Sequence, residues 1–186
     1  MAEKGVEDVE LVEIDILTGD HKKPEYRDKV GVPHLPALEL DDGTTISESV
    51  AIGRYLEALY PEPNLFGRDA REQAVVEMWT RRCEFYLSNP IMLNVRHSHP
   101  ALAALEAVQI PQVADYNRLS AERFMKTLDR HLAEREFIAL DRFTIADIVA
   151  VVGLDFARMV RYRPPVEFEN LHRWFDACRD RPAAKA

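Results

Sequence analysis

The sequence has little cysteine, and this scarcity separates it from several classes of protein. It contains only two cysteines in 186 residues, Cys83 and Cys178, far apart along the chain. Small secreted domains stapled by disulfides, and zinc sites built on paired cysteines, both need more of them at closer spacing. The pattern favours two reduced thiols in the core of a cytoplasmic protein over a disulfide or a metal role.

The chain also lacks long apolar runs and an excess of basic charge. No apolar run approaches the roughly 20 residues that a bilayer-spanning helix needs, and no basic-then-apolar signal segment opens the chain. The formal net charge is -8, which argues against a nucleic-acid partner because phosphate binding needs a clustered basic surface. With 47 % apolar and 30 % charged residues, the composition is that of an ordinary globular protein with neither a membrane nor a nucleic-acid partner.

The first third of the chain alternates short strand-like and helix-like segments. Residues 9–16 (VELVEIDI) alternate apolar and acidic positions, which predicts a half-buried strand. A short helix is expected near Pro24, because proline is favoured in a first helical turn. Residues 37–40 and 44–47 flank Asp-Asp-Gly, which predicts an antiparallel hairpin. Apolar residues at helical spacing between positions 52 and 59 predict a helix after it.

From about residue 70 onward the pattern is almost entirely helical. Thr144 and Asp147 have the spacing of a capping box, so Asp147 is interpreted as structural. His97 and His99 suit neither one helix face nor a common zinc site, and they are interpreted as surface or loop histidines. The predicted elements are a helix over 70–88 that is broken or kinked at Asn89-Pro90, a partly irregular stretch over 96–111, and helices over 116–135, from Ile145 and from Glu169.

These patterns divide the chain at its proline-rich stretch. Residues 1–61 are predicted to form a small α/β domain, 62–69 a linker, and 70–186 an all-helical domain. This division says little about function. The evidence for function comes from three longer motifs.

The first motif is HLPALELDDG at residues 34–43, followed by SESVAI at 47–52. The second is FIALDRFTIADIVA at residues 137–150, and the third comprises EMWTRRCEFYL at 77–87 with HSHP at 97–100. In this order and spacing they resemble the glutathione transferase family, the third in particular a bacterial branch of it. The resemblance implies a thioredoxin-like glutathione-binding domain joined to an all-helical bundle.

The resemblance also implies which residues hold glutathione. The bond before Pro36 is expected to be cis, with Leu35 pairing with the cysteinyl part of glutathione like an added strand. Ser49 and nearby N–H groups would hold the γ-glutamyl carboxylate, Glu48 its ammonium group, and His34 would reach the glycine end. Two structural interpretations stay open: Leu35–Pro36 as an ordinary turn, and residues 47–49 as helix caps.

The first strand, loop and helix of the family have no counterpart in this sequence. About twenty residues would be needed for them. Because the family's activating Tyr, Ser, Cys or Asn follows that strand, no catalytic residue is assigned. Three explanations are open: a misassigned start codon, a truncated paralogue, or a strand supplied by another chain. Without the strand, residues 9–16 would leave unpaired backbone groups.

The expected function is conjugation of the glutathione thiolate to a small electrophile, with glutathione-dependent peroxidase activity as a related possibility. The resemblance implies a homodimer, glutathione as co-substrate and no metal. The alternative is a non-catalytic binding or dimerisation module of the same fold, since the activating residue is absent. A glutathione-dependent dehalogenase or isomerase would share the site and is a third possibility.

Overall fold

The computed structural model describes residues 1–185 and divides into two compact units, Met1–Pro63 and Asn64–Ala186. The described part contains seven α-helices and one two-stranded sheet. Their bounds are α1 Pro24–Val30, β1 Ala37–Glu39, β2 Thr45–Ser47, α2 Ser49–Leu59, α3 Ala70–Cys83, α4 Asn89–Ser98, α5 Pro111–His131, α6 Ile145–Phe156 and α7 Glu169–Arg179.

The predicted hairpin of the first unit is confirmed. β1 and β2 are antiparallel, with Ala37 opposite Ser47, Leu38 opposite Ile46 and Glu39 opposite Thr45. Gly43 has φ 84°, a conformation that glycine adopts without a Cβ penalty, and its N–H donates to the Leu40 carbonyl at 2.9 Å. The Asp-Asp-Gly sequence therefore predicts the position of the hairpin correctly.

The predicted strand over residues 9–16 is wrong. The segment has no regular secondary structure, and two of its apolar side chains face solvent, with Leu11 83 % and Val12 73 % exposed. A strand exists only when a neighbour completes its backbone hydrogen bonds. Among residues 1–185, β1 and β2 pair only with each other, so apolar alternation alone cannot make this segment a strand.

The long helix that opens the second unit continues past Pro90, so a break, one of the two predicted effects of this proline, does not occur there. Between α3 and α4 the chain passes through a π-helical turn, Glu84–Ser88. Proline has no N–H to donate into the preceding turn, and a π-turn is one way for a helix to accommodate the loss. The Ser88 hydroxyl donates to the Val149 carbonyl at 2.8 Å, and a Cβ on Gly153 would lie 2.3 Å from the Ser88 oxygen. α6 therefore lies close against this turn.

Two other predicted bounds in this unit are also corrected. The stretch over 96–111 is less irregular than predicted, because α4 continues to Ser98 and a 3₁₀ segment follows at Pro100–Leu105. α5 begins at Pro111 instead of residue 116, with the proline in its first turn.

The core of the second unit is organised around one buried carboxylate, Asp147. The predicted capping box is confirmed at the start of α6, where the Thr144 N–H and hydroxyl both donate to Asp147 Oδ2 at 3.0 Å. Asp147 Oδ1 accepts two further bonds at 2.9 Å, from the Ile138 N–H and the Trp174 indole N–H. Burial raises the pKa of the Asp147 carboxyl, and the four donors oppose that rise. One side chain thus joins the start of α6 to the preceding loop and to α7.

Within the second unit, the segment before α3 and the first turn of α3 are both bound to the region at the start of α6. Leu65 and Phe66 are buried, and the Ile145 N–H donates to the Leu65 carbonyl at 3.0 Å. Arg142 donates to both carboxylate oxygens of Glu72, at 2.5 and 3.1 Å. The guanidinium lowers the pKa of Glu72 from 4.5 to about 2.

We predict that Asp147→Asn lowers the free energy of unfolding by about 2–4 kcal/mol, since the amide NH₂ would face two of the four donors. Urea denaturation measures the change. Asp115→Asn, an exposed aspartate on α5, is the control and should change stability by less than about 0.5 kcal/mol. Equal small effects for both variants would contradict a structural role for the carboxylate.

We predict that Glu72 contributes to acid sensitivity. Because its folded pKa lies below the unfolded value, its ion pair stabilises the protein above pH 4.5 and loses that effect as pH falls toward about 2. The melting temperature of Glu72→Gln should therefore fall less than that of the wild type across this window. Glu134→Gln, an exposed glutamate, should follow the wild type. Parallel curves for wild type and Glu72→Gln would exclude this contribution.

Candidate functional site

The register of the hairpin places the five glutathione-site candidates at one end of the sheet. Because Ala37 lies opposite Ser47, the residues before β1 and those after β2 emerge at the same end. His34, Leu35 and Pro36 enter β1 there, while Glu48 and Ser49 leave β2 and start α2. Opposite positions in an antiparallel pair lie about 4.5–5.5 Å apart, so these two short segments are neighbours.

The segment that enters β1 presents open backbone groups. The Leu35–Pro36 peptide bond is cis, as the resemblance implies. The Leu35 side chain is 43 % exposed, and neither its N–H nor its C=O is hydrogen-bonded among residues 1–185. Such groups can accept an extended peptide by strand addition.

A hydrogen bond from α1 fixes the residue before Leu35. The Tyr26 hydroxyl donates to the His34 carbonyl at 2.5 Å, and burial raises the pKa of Tyr26. The His34 side chain is exposed. Sequence reasoning missed Tyr26, because nothing in the local pattern connects it to a residue eight positions away.

The start of α2 has the features of an anion site. No side chain caps this helix, so the interpretation of residues 47–49 as capping side chains is wrong. The first N–H groups of an uncapped helix lack partners within it and carry partial positive charge. Ser49 is the first helical residue, and its hydroxyl is exposed beside these groups. The arrangement suits a carboxylate.

Glu48 has an uncommon backbone conformation at this point. Its φ and ψ are 69° and 117°, a region in which residues other than glycine are strained. Its side chain is exposed and forms no ion pair within residues 1–185. The strained residue is therefore the one that places a carboxylate directly before the helix N-terminus.

The other candidates from the sequence lie elsewhere. His97 Nδ1 accepts a bond from the Ile110 N–H, and His99 Nδ1 accepts one from the Ala101 N–H, both at 3.2 Å. Cys83 and Cys178 are both buried, and neither forms a disulfide within residues 1–185, which confirms them as core thiols. Burial raises the pKa of Cys83, which disfavours its thiolate. Residues 1–185 contain no group of three or more His, Cys, Asp or Glu side chains placed to hold a metal.

None of the helices described is both long and apolar enough to cross a membrane.

Comparison with known proteins identifies the family to which the chain belongs. The family model for the glutathione S-transferase N-terminal domain matches residues 1–64, and the model for the C-terminal domain matches residues 92–182. The chain is 37 % identical over 187 residues to Glutathione S-transferase 2 of Saccharomyces cerevisiae, which covers all of this chain and 80 % of the yeast protein. The chain belongs to the glutathione S-transferase family.

Solved structures of this family have the same fold. A glutathione S-transferase domain-containing protein of Marinobacter aquaeolei has a TM-score of 0.93 at 37 % identity, covering 98 % of this chain and 90 % of that one. Gtt2 of Saccharomyces cerevisiae has a TM-score of 0.88 at 37 % identity, covering 94 % of this chain and 84 % of that one. The fold class expected from the resemblance, a small α/β unit and a helical unit of the glutathione S-transferase type, is thereby confirmed.

We predict that Glu48→Gly raises the free energy of unfolding by about 1 kcal/mol relative to Glu48→Ala. Both variants remove the side chain, but only glycine adopts the positive φ without strain. Thermal or urea unfolding measures the difference. A glycine variant less stable than the alanine variant would show that Glu48 is unstrained.

Proposed function

We propose that this chain is a glutathione transferase that binds glutathione at the open end of its hairpin and joins the thiolate to a small electrophile. The observation that carries the proposal is its 37 % identity to yeast Glutathione S-transferase 2 over 187 residues. The geometry supports it, since one hairpin register gathers all five candidate residues at the same end of β1 and β2.

Each part of glutathione has a matching group at this end. The cysteinyl residue pairs with the open N–H and C=O of Leu35, next to the cis bond to Pro36. The γ-glutamyl carboxylate binds the Ser49 hydroxyl and the uncapped N–H groups of α2. Glu48 binds the γ-glutamyl ammonium group with its exposed carboxylate. His34 approaches the carboxylate of the glycine end.

The reaction follows from the chemistry of the bound thiol. The thiolate attacks the electrophile, a C–S bond forms, and the leaving group departs with the electron pair of the broken bond. The residues of the hairpin end bind and orient glutathione. In a related activity, two glutathione molecules reduce a hydroperoxide to an alcohol and water and are oxidised to glutathione disulfide. No contact or comparison described above favours a non-catalytic module.

We further propose a homodimer that works in the cytoplasm. Neither of the two buried cysteines forms a disulfide within residues 1–185, which fits a reducing compartment. The acceptor is proposed to be a small electrophile, as the family of the chain implies.

We predict that glutathione binds to the chain and that Glu48→Gln and Ser49→Ala each weaken binding about tenfold or more, since hydrogen bonds to charged groups contribute about 1.5–3 kcal/mol. Isothermal titration calorimetry measures the affinity. Glu25→Gln, an exposed glutamate on α1, is the matched control and should leave the affinity unchanged. Conjugation of 1-chloro-2,4-dinitrobenzene, followed by absorbance, measures the activity.

Two results would contradict the proposal. If the folded chain does not bind glutathione, the proposed site does not exist. If the wild type and both site variants have equal affinities, glutathione binds somewhere other than at Glu48 and Ser49. Circular dichroism of each variant verifies that the fold is intact.

A further inference from the structure

The loop between α1 and β1 carries Leu35, whose backbone is the proposed partner of the cysteinyl part of glutathione. Among residues 1–185, the backbone of residues 32–35 forms a single hydrogen bond. In it, the Tyr26 hydroxyl donates to the His34 carbonyl at 2.5 Å. The orientation of this part of the loop therefore depends on one side chain of α1.

The position of Tyr26 is determined by α1, which is itself fixed at its carboxyl end. Gly31 ends the helix with φ 83°, and its N–H donates to the Arg27 carbonyl at 2.7 Å. One turn earlier, Lys29 forms an ion pair with Glu39 of β1. Burial raises the pKa of the half-buried Tyr26, so its hydroxyl keeps the proton that it donates.

The peptide bond between His34 and Leu35 transmits this contact to Leu35. Among residues 1–185, cis bonds occur only before Pro36 and Pro63, so the His34–Leu35 bond is trans. In a planar trans peptide, the carbonyl oxygen and the following N–H point in opposite directions. The hydrogen bond directs the His34 carbonyl toward Tyr26, and the Leu35 N–H consequently points away from α1.

The hydroxyl of Tyr26 has more effect on this orientation than on the packing of the unit. A phenylalanine ring would fill the same space. The bond to His34 lies at an exposed position, so water could solvate the carbonyl if the hydroxyl were removed. Losing the hydroxyl would therefore leave no buried polar group without a partner, and its cost to folding should be small. The loss would instead free the His34–Leu35 peptide to rotate.

We propose that Tyr26 is a positioning residue for glutathione, holding the His34–Leu35 peptide so that the Leu35 N–H is directed at the cysteinyl carbonyl before the ligand binds. The inference rests on the proposed function, because it requires glutathione at the open end of the hairpin. A donor that is oriented in advance improves affinity, since less freedom is lost on binding. Tyr26 touches no reacting atom and acts through the backbone of Leu35.

Titration calorimetry of Tyr26→Phe with glutathione tests the proposal. The variant should bind about three- to tenfold more weakly than the wild type, the range expected for one neutral hydrogen bond. Tyr60→Phe is the matched control, because Tyr60 belongs to the same unit but lies at the carboxyl end of α2, away from Ser49. It should bind like the wild type. 4-Aminophenylalanine at position 26 keeps a donor on the ring and should restore most of the affinity.

A change in the ligand separates positioning from a general structural effect. In the analogue used, a trans-alkene replaces the amide between cysteine and glycine, which preserves the shape and removes the cysteinyl carbonyl. The wild type should bind this analogue about three- to tenfold more weakly than glutathione. Tyr26→Phe should bind the analogue within about twofold of the wild type, because the acceptor that the hydroxyl helps to reach is already absent.

Three results would overturn the positioning role while leaving the glutathione site in place. They are equal glutathione affinity of the wild type and Tyr26→Phe, an equal loss by this variant for both ligands, and equal affinity of the wild type for both ligands. The last result needs no variant, so it decides the matter even if Tyr26→Phe does not fold. A folded wild type that does not bind glutathione would instead overturn the proposed function, and this inference with it.

Discussion

The proposed glutathione site depends on the register of one antiparallel ladder of three residue pairs. Ala37 lies opposite Ser47, and this pairing alone determines that Leu35 and Glu48 emerge at the same end of the sheet. A slip of one residue would turn every side chain of a strand to the opposite face. The Asp-Asp-Gly turn opposes such a slip, because Gly43 adopts a positive φ and donates to the Leu40 carbonyl. The chemistry proposed for the open end thus depends on turn residues at the closed end.

A second constraint organises the helical unit independently of the first. Asp147 is buried, and its two oxygens accept four hydrogen bonds, including those from Ile138 and Trp174. Leaving any of those donors unpaired in the core would be unfavourable by about 1–3 kcal/mol. The carboxylate therefore holds together the start of α6, the loop before it and α7.

Local chemistry explains which features could be predicted from the sequence. The hairpin and the capping box at Thr144 depend on residues within a few positions of one another, and both were predictable. Residues 9–16 have a strand pattern, but a strand depends on a neighbour that a local pattern does not specify. The π-turn before Pro90, the backbone conformation of Glu48 and the bond from Tyr26 to His34 depend on three-dimensional packing. Family resemblance supplied the five candidate site residues.

The central claim is that the open end of the hairpin holds glutathione. A crystal structure of the chain with bound glutathione tests it most directly. The account predicts that the γ-glutamyl carboxylate lies about 2.7–3.2 Å from the Ser49 hydroxyl and the first N–H groups of α2. It also predicts that the cysteinyl backbone pairs with Leu35. Glutathione bound elsewhere, or bound here without contact to Leu35 and Ser49, would contradict the account.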